Sequence, residues 1–415
     1  MNRRLAKTVI AAFRDEEEGT LRARLAQFQE GDWLRCMEWL HTSGLALYFF
    51  ARIRALRMQD VMPARILHDL DCSYAENRLR TEDMFNEFVT INMELQRSRL
   101  SYANLAGFAL APRSCPDPAN RYQHDLDFLV AQRDAEQCRR VLERQGYQLT
   151  SVIGNTWEFR AGPAEASSLG RLHKGKAQRS VELHLVPDDE QSESDRRSDK
   201  LSRLQLQVWN GFEFPALSEC DKLLAQGLHL FQHFQTEWTR TAWMLEYATA
   251  IRSHWDDTPF WQETVAAIQA APATRIGIGV ASLIVSNAFG VMPPAPFLAC
   301  TVDVMPDRVR LWAGRYADEV VFVECRGSKL YLLLQDVLSD GQRIWPSQRR
   351  RKLLPSHLAP HSFLTARSGD IRPPARTAVE RLRFAWTRLR FHVTAGLRYK
   401  IEAMRWKKFI AGFQA

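Results

Sequence analysis

The sequence has few cysteines, and they follow no regular pattern. Its seven cysteines are an odd number, are widely scattered and include no Cys-x-x-Cys pair. This distribution argues against a disulfide framework and favours reduced thiols in a cytoplasmic protein.

Long apolar runs are also missing. The N-terminus has basic residues without a following apolar segment, so we expect no secretory signal peptide. The longest apolar run, Ile276 to Val291, contains three glycines, two serines and an asparagine, and it is shorter than a typical membrane span. It predicts a buried helix.

The overall composition is that of a globular protein, with 46% hydrophobic and 25% charged residues among 415. The net charge of +8 is concentrated near the end, in Arg349-Arg-Arg-Lys352 and in the arginine-rich last forty or so residues. A basic tail suits an anionic membrane surface or nucleic acid, which would make the cytoplasmic protein peripheral to the membrane in the first case. The alternative is a cationic face in water.

The patterns predict an α+β fold in which a small mixed β-sheet is flanked by helical regions on both sides. Convincing strand patterns occur only in residues 99–188. We predict a helical region at 1–98, an α/β core at 99–190, a helical domain at 191–345, and a basic, partly irregular tail with an amphipathic helix at 346–415.

Within these regions, apolar spacing and breaking residues predict individual elements. They include helices at 45–58, 64–79, 83–100, 134–145 and 376–413, a hairpin of strands 149–153 and 156–160, a basic turn at 171–176, a charge-rich connector at 188–200 and an irregular stretch at 346–374.

The stretch Arg121 to Val130 predicts a β-strand that carries two acidic residues. Side chains two apart on a strand share a face, so Asp125 and Asp127 would lie side by side, about 7 Å apart at Cα. Two neighbouring carboxylates repel each other, and a hard divalent cation such as Mg²⁺ offsets this. The alternative is an edge strand whose aspartates face water.

A second alternating strand, Arg179 to Val186, adds a third acidic residue. Val181, Leu183 and Leu185 would face one side of the sheet. Glu182 and His184 would face the other side. If this strand pairs beside the first, Glu182 joins the two aspartates.

The order of these features resembles the nucleotidyltransferase superfamily of the DNA polymerase β type. More narrowly, it is similar to the bacterial uncharacterised nucleotidyltransferase family over roughly residues 80 to 255. The matching features are Gly107 after Leu105-Ala106, Arg121, Asp125-Leu-Asp127, Gly146-Tyr147, Glu182-Leu-His184, the histidines His229 and His233, and Trp243-Met-Leu-Glu246.

The resemblance implies transfer of a nucleoside monophosphate from an NTP to a hydroxyl acceptor by a two-metal mechanism. Asp125, Asp127 and Glu182 would be the catalytic carboxylates and would hold Mg²⁺ or Mn²⁺. It also implies a nucleotide-binding set made of Gly107, Arg121, His184, His229 and His233.

The chain departs from the superfamily pattern at the glycine turn. It has Gly107-Phe108 where the superfamily usually has Gly-Ser, and Ala106 where the narrower family commonly has lysine. An alternative is therefore a catalytically inactive protein of the same fold that binds a nucleotide or a partner.

Two residue roles stay open at the sequence level. Arg121 suits a bidentate phosphate contact, but it could instead form a salt bridge that orients Asp125. His229 and His233 share a helix face at a spacing that can bind Zn²⁺, although Leu230 rules out the metalloprotease motif. A core or phosphate-contact role is the preferred interpretation.

Overall fold

The computed structural model describes residues 1–162, 179–186, 200–324, 327–339, 353 and 378–414. The predicted basic turn at 171–176, nearly all of the connector at 188–200 and the irregular stretch at 346–374, apart from residue 353, lie outside the described residues.

The fold is mixed α+β with helical regions at both termini, as predicted. The helices are α1 Arg3–Ala11, α2 Glu18–Leu25, α3 Glu30–Thr42, α4 Ala46–Ala55, α5 Ala64–Arg97, α6 Ala135–Arg144, α7 Glu219–Phe234, α8 Thr241–Ser253, α9 Thr258–Ala270, α10 Arg275–Phe289, α11 Ala295–Thr301, α12 Asp307–Val321, α13 Tyr331–Leu338 and α14 Ala378–Gln414. The strands are β1 Tyr102–Asn104, β2 Leu126–Ala131, β3 Gln148–Ile153, β4 Thr156–Ala161, β5 Arg179–Val186, β6 Gln205–Trp209 and β7 Phe212–Ala216.

The chain forms two compact units. Among the described residues, unit 1 comprises Met1–Leu45 and those from Gln226 onward, and unit 2 comprises those from Ala46 to Ala225. The predicted division into four regions stays a prediction.

Unit 2 contains the sheet, whose strand order is β3-β4-β5-β2-β1-β7-β6. β2 and β5 pair in parallel, whereas β1 and β2 pair antiparallel. Leu126, Phe128 and Val130 of β2 belong to a buried core that also contains residues of α5 and α6. Since strand side chains alternate, Asp127 projects from the face of β2 opposite this core.

Three predictions about elements are wrong. Residues 121–125 are not part of a strand, because β2 begins only at Leu126. The helices predicted at 64–79 and 83–100 are one continuous 34-residue helix, α5, since no glycine or proline interrupts it. The hairpin of β6 and β7 falls in a stretch for which only helices were predicted.

The missed hairpin has a local signal in the sequence. Asn210 and Gly211 connect β6 to β7, and both have positive φ angles, 45° and 75°. A two-residue Asn-Gly loop of this kind matches the twist of antiparallel strands. The alternation in Gln205–Trp209 together with this dipeptide could have predicted the hairpin.

Unit 1 is built from helices over its described residues. The predicted buried helix at 276–291 is confirmed by α10, whose residues are mostly buried. None of the described helices is by itself long and apolar enough to cross a membrane. The pair Thr258–Ala270 and Pro272–Phe289 meets that length and composition only when both are taken together across a 102° bend.

Candidate active site

The site is built on the parallel pair β2 and β5. Asp127 lies opposite Glu182 in the register of this pair, so the two acidic side chains leave the same face of the sheet. The Asp127 side chain is 20% exposed and that of Glu182 only 4%. Two adjacent carboxylates, one of them buried, require positive charge beside them.

His184, two residues after Glu182 on β5, lies against both carboxylates. Its Nε2 is 3.2 Å from Asp127 Oδ1 and 3.6 Å from Glu182 Oε2. Its Nδ1 lies 3.3 Å from the Thr156 hydroxyl of β4. The imidazole of His184 therefore contacts the acidic pair directly.

The same three side chains fit a divalent cation. One ligand atom from each of Asp127, Glu182 and His184 lies within 4.8 Å of the other two. Carboxylate oxygens suit Mg²⁺ and Mn²⁺, and one imidazole nitrogen is compatible with Mn²⁺. The chemistry of the donors therefore fits the metal that the sequence predicts, with His184 as a neighbour that can act as a ligand.

Asp125 directly precedes β2 and is not a member of the group formed by Asp127, Glu182 and His184. Its predicted place beside Asp127 as a metal ligand stays a prediction. The charge of Asp125 acts on the buried guanidinium of Arg80 on α5. Burial lowers the pKa of Arg80 to about 10, and the charge of Asp125 opposes that decrease.

Arg80 is part of a polar group that holds the segment leading into β2. Its Nη2 is 3.3 Å from His124 Nδ1. One turn earlier on α5, the Asn77 amide donates to the backbone oxygens of Ala119 (2.7 Å) and Arg121 (3.1 Å). These bonds replace the strand pairing predicted for residues 121–125, which explains why β2 begins later.

Arg121 is half-buried in this same segment, and its positive charge contributes to lowering the pKa of Arg80, after burial. Two arginines are thus close enough to influence each other beside Asp125. Two positive charges therefore act near the segment that carries Asp125, and the two roles predicted for Arg121 stay predictions.

Gly107 begins a short 3-10 turn after β1, Gly107–Leu110, and has a φ of +61°. A Cβ at this position would lie 2.1 Å from Gln123 Nε2. That amide donates to the backbone oxygen of Asp125 at 3.1 Å, whereas Gln123 Oε1 is buried without a hydrogen-bond partner in the described part of the chain. Because residue 107 is a glycine, the Gln123 side chain can lie directly against the turn.

The residue after this glycine is a core residue. Phe108 is 1% exposed and packs against the rings of Phe85 and Phe88 at centroid distances of 5.2 and 5.1 Å. The turn is held from outside by Gln207, whose amide donates to the backbone oxygens of Phe108 and Ala111. A hydroxyl is thus absent from this turn, and its backbone is fixed by side-chain amide contacts.

Lys222 supports that amide. Its Nζ donates to Gln207 Oε1 at 2.6 Å and to Glu219 Oε1 at 2.8 Å, and the side chain is buried. Burial lowers the pKa of this lysine, and Glu219 opposes the effect. Lys222 therefore places a buried positive charge beside the residues that hold the glycine turn.

A third carboxylate continues the acidic row across the sheet. Glu158 of β4 lies opposite Glu182 in the antiparallel register, and both are buried. Glu158 Oε1 accepts two hydrogen bonds from Arg160, at 2.6 and 2.8 Å. Its Oε2 is buried without a hydrogen-bond partner among the described residues. The row Asp127–Glu182–Glu158 thus crosses three adjacent strands.

His229 and His233 belong to unit 1, whereas the carboxylates belong to unit 2. The two histidine rings are 4.5 Å apart and lie 4.8 and 4.5 Å from the ring of Trp243. His229 is exposed and His233 is half-buried. The two residues form an aromatic cluster with Trp243, and their nucleotide-binding role stays a prediction.

Sequence reasoning missed Arg80 and Glu158. The signal for Arg80 was present, because the buried stripe of α5 runs through Ile66, Leu70, Ser73, Asn77 and Arg80 to Phe88. Polar residues at core positions of a helical stripe indicate buried partners. Glu158 had a weaker signal, since an acidic residue on a hairpin strand more often faces water.

Residues 29–285, more than half of the chain, match the sequence profile of a family described as "Uncharacterised nucleotidyltransferase". The chain belongs to this nucleotidyltransferase family. The match covers α3 to most of α10 and includes every candidate site residue named above, so the family predicted from the sequence is confirmed.

Several solved structures match the chain, one of them at low similarity as follows. The crystal structure of an antigenic nucleotidyltransferase-like protein from Paracoccidioides brasiliensis is 16% identical and covers 51% of this chain and 95% of that chain, with a TM-score of 0.31. That score supports no conclusion about this chain. No curated protein matches this chain.

Proposed function

We propose that this chain is a divalent-metal-dependent nucleotidyltransferase that transfers a nucleoside monophosphate from an NTP to a hydroxyl acceptor. The observation that carries the proposal is the direct pairing of Asp127 with Glu182 on adjacent parallel strands, with His184 against both. Family membership supports the reaction class and a nucleotide substrate.

Asp127 and Glu182 would hold the cation, with His184 beside them. When bound, Mg²⁺ or Mn²⁺ lowers the pKa of an acceptor hydroxyl and neutralises charge on the nucleotide's phosphates. Asp125 would act as the third carboxylate. Arg121, which is half-buried, would contact the phosphates, and the buried Arg80 adds positive charge beside Asp125.

Cation binding can be tested apart from catalysis. We expect Mn²⁺ to raise the melting temperature of the wild type, because a ligand at 100 times its Kd stabilises the folded state by about 2.7 kcal/mol. Asp127→Asn and Glu182→Gln should each lose most of this increase. Glu213→Gln, at an exposed glutamate of β7, is the matched control and should retain it.

Transfer is then measured as pyrophosphate release from each NTP with Mg²⁺ or Mn²⁺, together with labelling of added hydroxyl acceptors by α-labelled nucleotide. In Asp127→Asn and Glu182→Gln, the rate of pyrophosphate release should fall by at least about 100-fold. A loss of this size is typical when a group that stabilises charge in the transition state is removed. Release at wild-type rates from either variant would refute the assignment.

One observation favours a second candidate, a nucleotide-binding protein without transferase activity. The position that supplies a hydroxyl in the superfamily is Phe108, a buried core residue, so the side chain cannot contact a phosphate. This alternative predicts calorimetric binding of an NTP with Mn²⁺ but no pyrophosphate release with any acceptor. Release that depends on Asp127 would exclude it.

A further inference from the structure

The last helix, α14, has two different apolar faces. Its buried face contains Arg388, Phe391, His392, Tyr399 and Trp406. Because these positions recur at helical spacing, one side of the helix is fixed against other residues of unit 1.

Specific contacts fix that orientation within unit 1. The Tyr399 hydroxyl donates to Asp336 Oδ2 at 3.2 Å, and the Trp406 ring lies 5.9 Å from that of Tyr316. Arg398 pairs with Glu319 at 2.6 Å. These contacts therefore determine which side of α14 faces outward, and the helix needs no further ordering to present that side.

The outward surface carries a second set of apolar side chains that is exposed. Trp386 is 67% exposed and Leu397 60%. At about 100° per residue, the set lies within an arc of roughly 120° and extends about 33 Å along the helix. Its members are Leu382, Trp386, Leu389, Val393, Leu397, Ile401 and Met404, which we call the outer stripe.

Among the described side chains of α14, those with charge within or beside the arc of the outer stripe are basic. Exposed basic residues lie within or beside its arc, at Arg390, Lys400, Lys407 and Lys408. Between residues 378 and 414 the sequence has nine basic and two acidic residues. One of the acidic residues, Glu402, is half-buried and lies 3.5 Å from the Tyr316 hydroxyl on the packed side.

We propose that the outer stripe binds an anionic membrane surface, with α14 lying in the plane of the headgroups. Apolar side chains including a tryptophan would enter the headgroup–acyl boundary, and the flanking lysines and arginines would contact lipid phosphates and carboxylates. Charge complementarity selects this partner, because a second copy of the same stripe would bring like charges together.

The proposal is tested by co-sedimentation of the full chain with phosphatidylcholine vesicles, with and without phosphatidylserine. We expect binding only to the vesicles that contain phosphatidylserine, and loss of binding as salt rises from about 0.1 M to about 1 M, since the screening length falls from about 10 Å to 3 Å. Absence of binding at low salt, or equal binding to both vesicles, would overturn the proposal.

Two paired variants separate the apolar and the charged contributions. Trp386→Glu with Leu397→Glu should abolish binding, whereas Val152→Glu with Leu206→Glu, at exposed apolar residues of unit 2, should not. Lys400→Gln with Lys407→Gln should weaken binding by about 25-fold, at about fivefold per charge. Arg140→Gln with Arg144→Gln, which removes two exposed charges from α6, is the matched control.

Two other partners have distinct outcomes. If a second copy covers the stripe, sedimentation velocity will show a concentration-dependent dimer that Trp386→Glu with Leu397→Glu dissociates, and vesicles will not bind. If the partner is nucleic acid, an oligonucleotide will bind with an affinity that the lysine variants reduce, again without vesicle binding. Either result would overturn the proposal.

Discussion

At the scale of single residues, the site depends on close approaches that only certain side chains permit. Gly107 combines a φ of +61° with direct contact to the Gln123 amide, which in turn holds the backbone of Asp125. A side chain at position 107 would therefore displace the segment that carries the first aspartate. The requirement for a positive φ at Gly107 and the requirement for space beside Gln123 can be separated experimentally.

We predict that Gly107→Ala destabilises the protein more than Gly146→Ala. Gly146 also has a positive φ, 85°, but a Cβ there would meet nothing within 4 Å. The control should cost about 1 to 2 kcal/mol from backbone strain alone, and Gly107→Ala should cost at least about 1 kcal/mol more because of overpacking. Urea unfolding measures both.

The clash with Gln123 provides a further check. Gln123→Ala in the Gly107→Ala background should recover part of the additional loss, since it removes the atoms that the new methyl group meets. Equal destabilisation by the two glycine variants would show that the Gln123 contact is unimportant.

The pattern of individual residues predicted much of the candidate site, but not all of it. Alternation on Arg179–Val186 correctly placed Glu182 and His184 on one face, and the structure pairs Glu182 with Asp127. The buried Arg80 beside Asp125 could not be predicted, because it is 45 residues earlier in the chain than the carboxylate whose charge acts on it. Alternation describes a strand, but it does not show where tertiary contacts end that strand.

At the scale of elements, α5 organises the site from the opposite side of the sheet. It brings buried polar residues to three places: Asn77 at the segment before β2, Arg80 near Asp125, and Asn92, whose Oδ1 accepts a hydrogen bond from Asn104 of β1 at 2.8 Å. The sequence predicted two helices here, at 64–79 and 83–100, and the buried polar residues Asn77 and Arg80 lie at the predicted break. Those same residues form the tertiary contacts, so the helix is continuous.

We predict that Asn77→Leu loosens the segment before β2. The substitution removes both hydrogen bonds to Ala119 and Arg121 and takes the Asn77 donor from the buried carbonyl of Ala119, at a cost of about 1 to 3 kcal/mol, whereas the Arg121 carbonyl still accepts from the Gln123 backbone N–H. Hydrogen exchange should quicken at residues 118–125. Asn86→Leu, at an exposed asparagine of the same helix, should change neither stability nor exchange there.

At the scale of the whole molecule, the two proposals occupy different units. The carboxylates, Arg80 and the glycine turn lie in unit 2, and the outer stripe of α14 lies in unit 1. The sequence predicted the α+β class and the basic amphipathic helix, because composition and periodicity report them directly. It did not predict which face of α14 is packed, since both faces are apolar.

We predict that cation binding and membrane binding are independent. Trp386→Glu with Leu397→Glu should leave the Mn²⁺-induced increase in melting temperature unchanged, because neither residue belongs to the unit that holds the carboxylates. Asp127→Asn should leave vesicle co-sedimentation unchanged. Loss of Mn²⁺ stabilisation in the stripe variant would show that the two functions are coupled.

The pairing of β2 with β5 has a consequence for folding quality. If β5 shifted by a single position, Val181 or Leu183 would stand where Glu182 stands, and Asp127 would face a hydrocarbon side chain. On the proposed function, a misaligned chain would lack the ligand set for a divalent ion, and Mn²⁺ would stabilise only molecules in which β2 and β5 are correctly aligned.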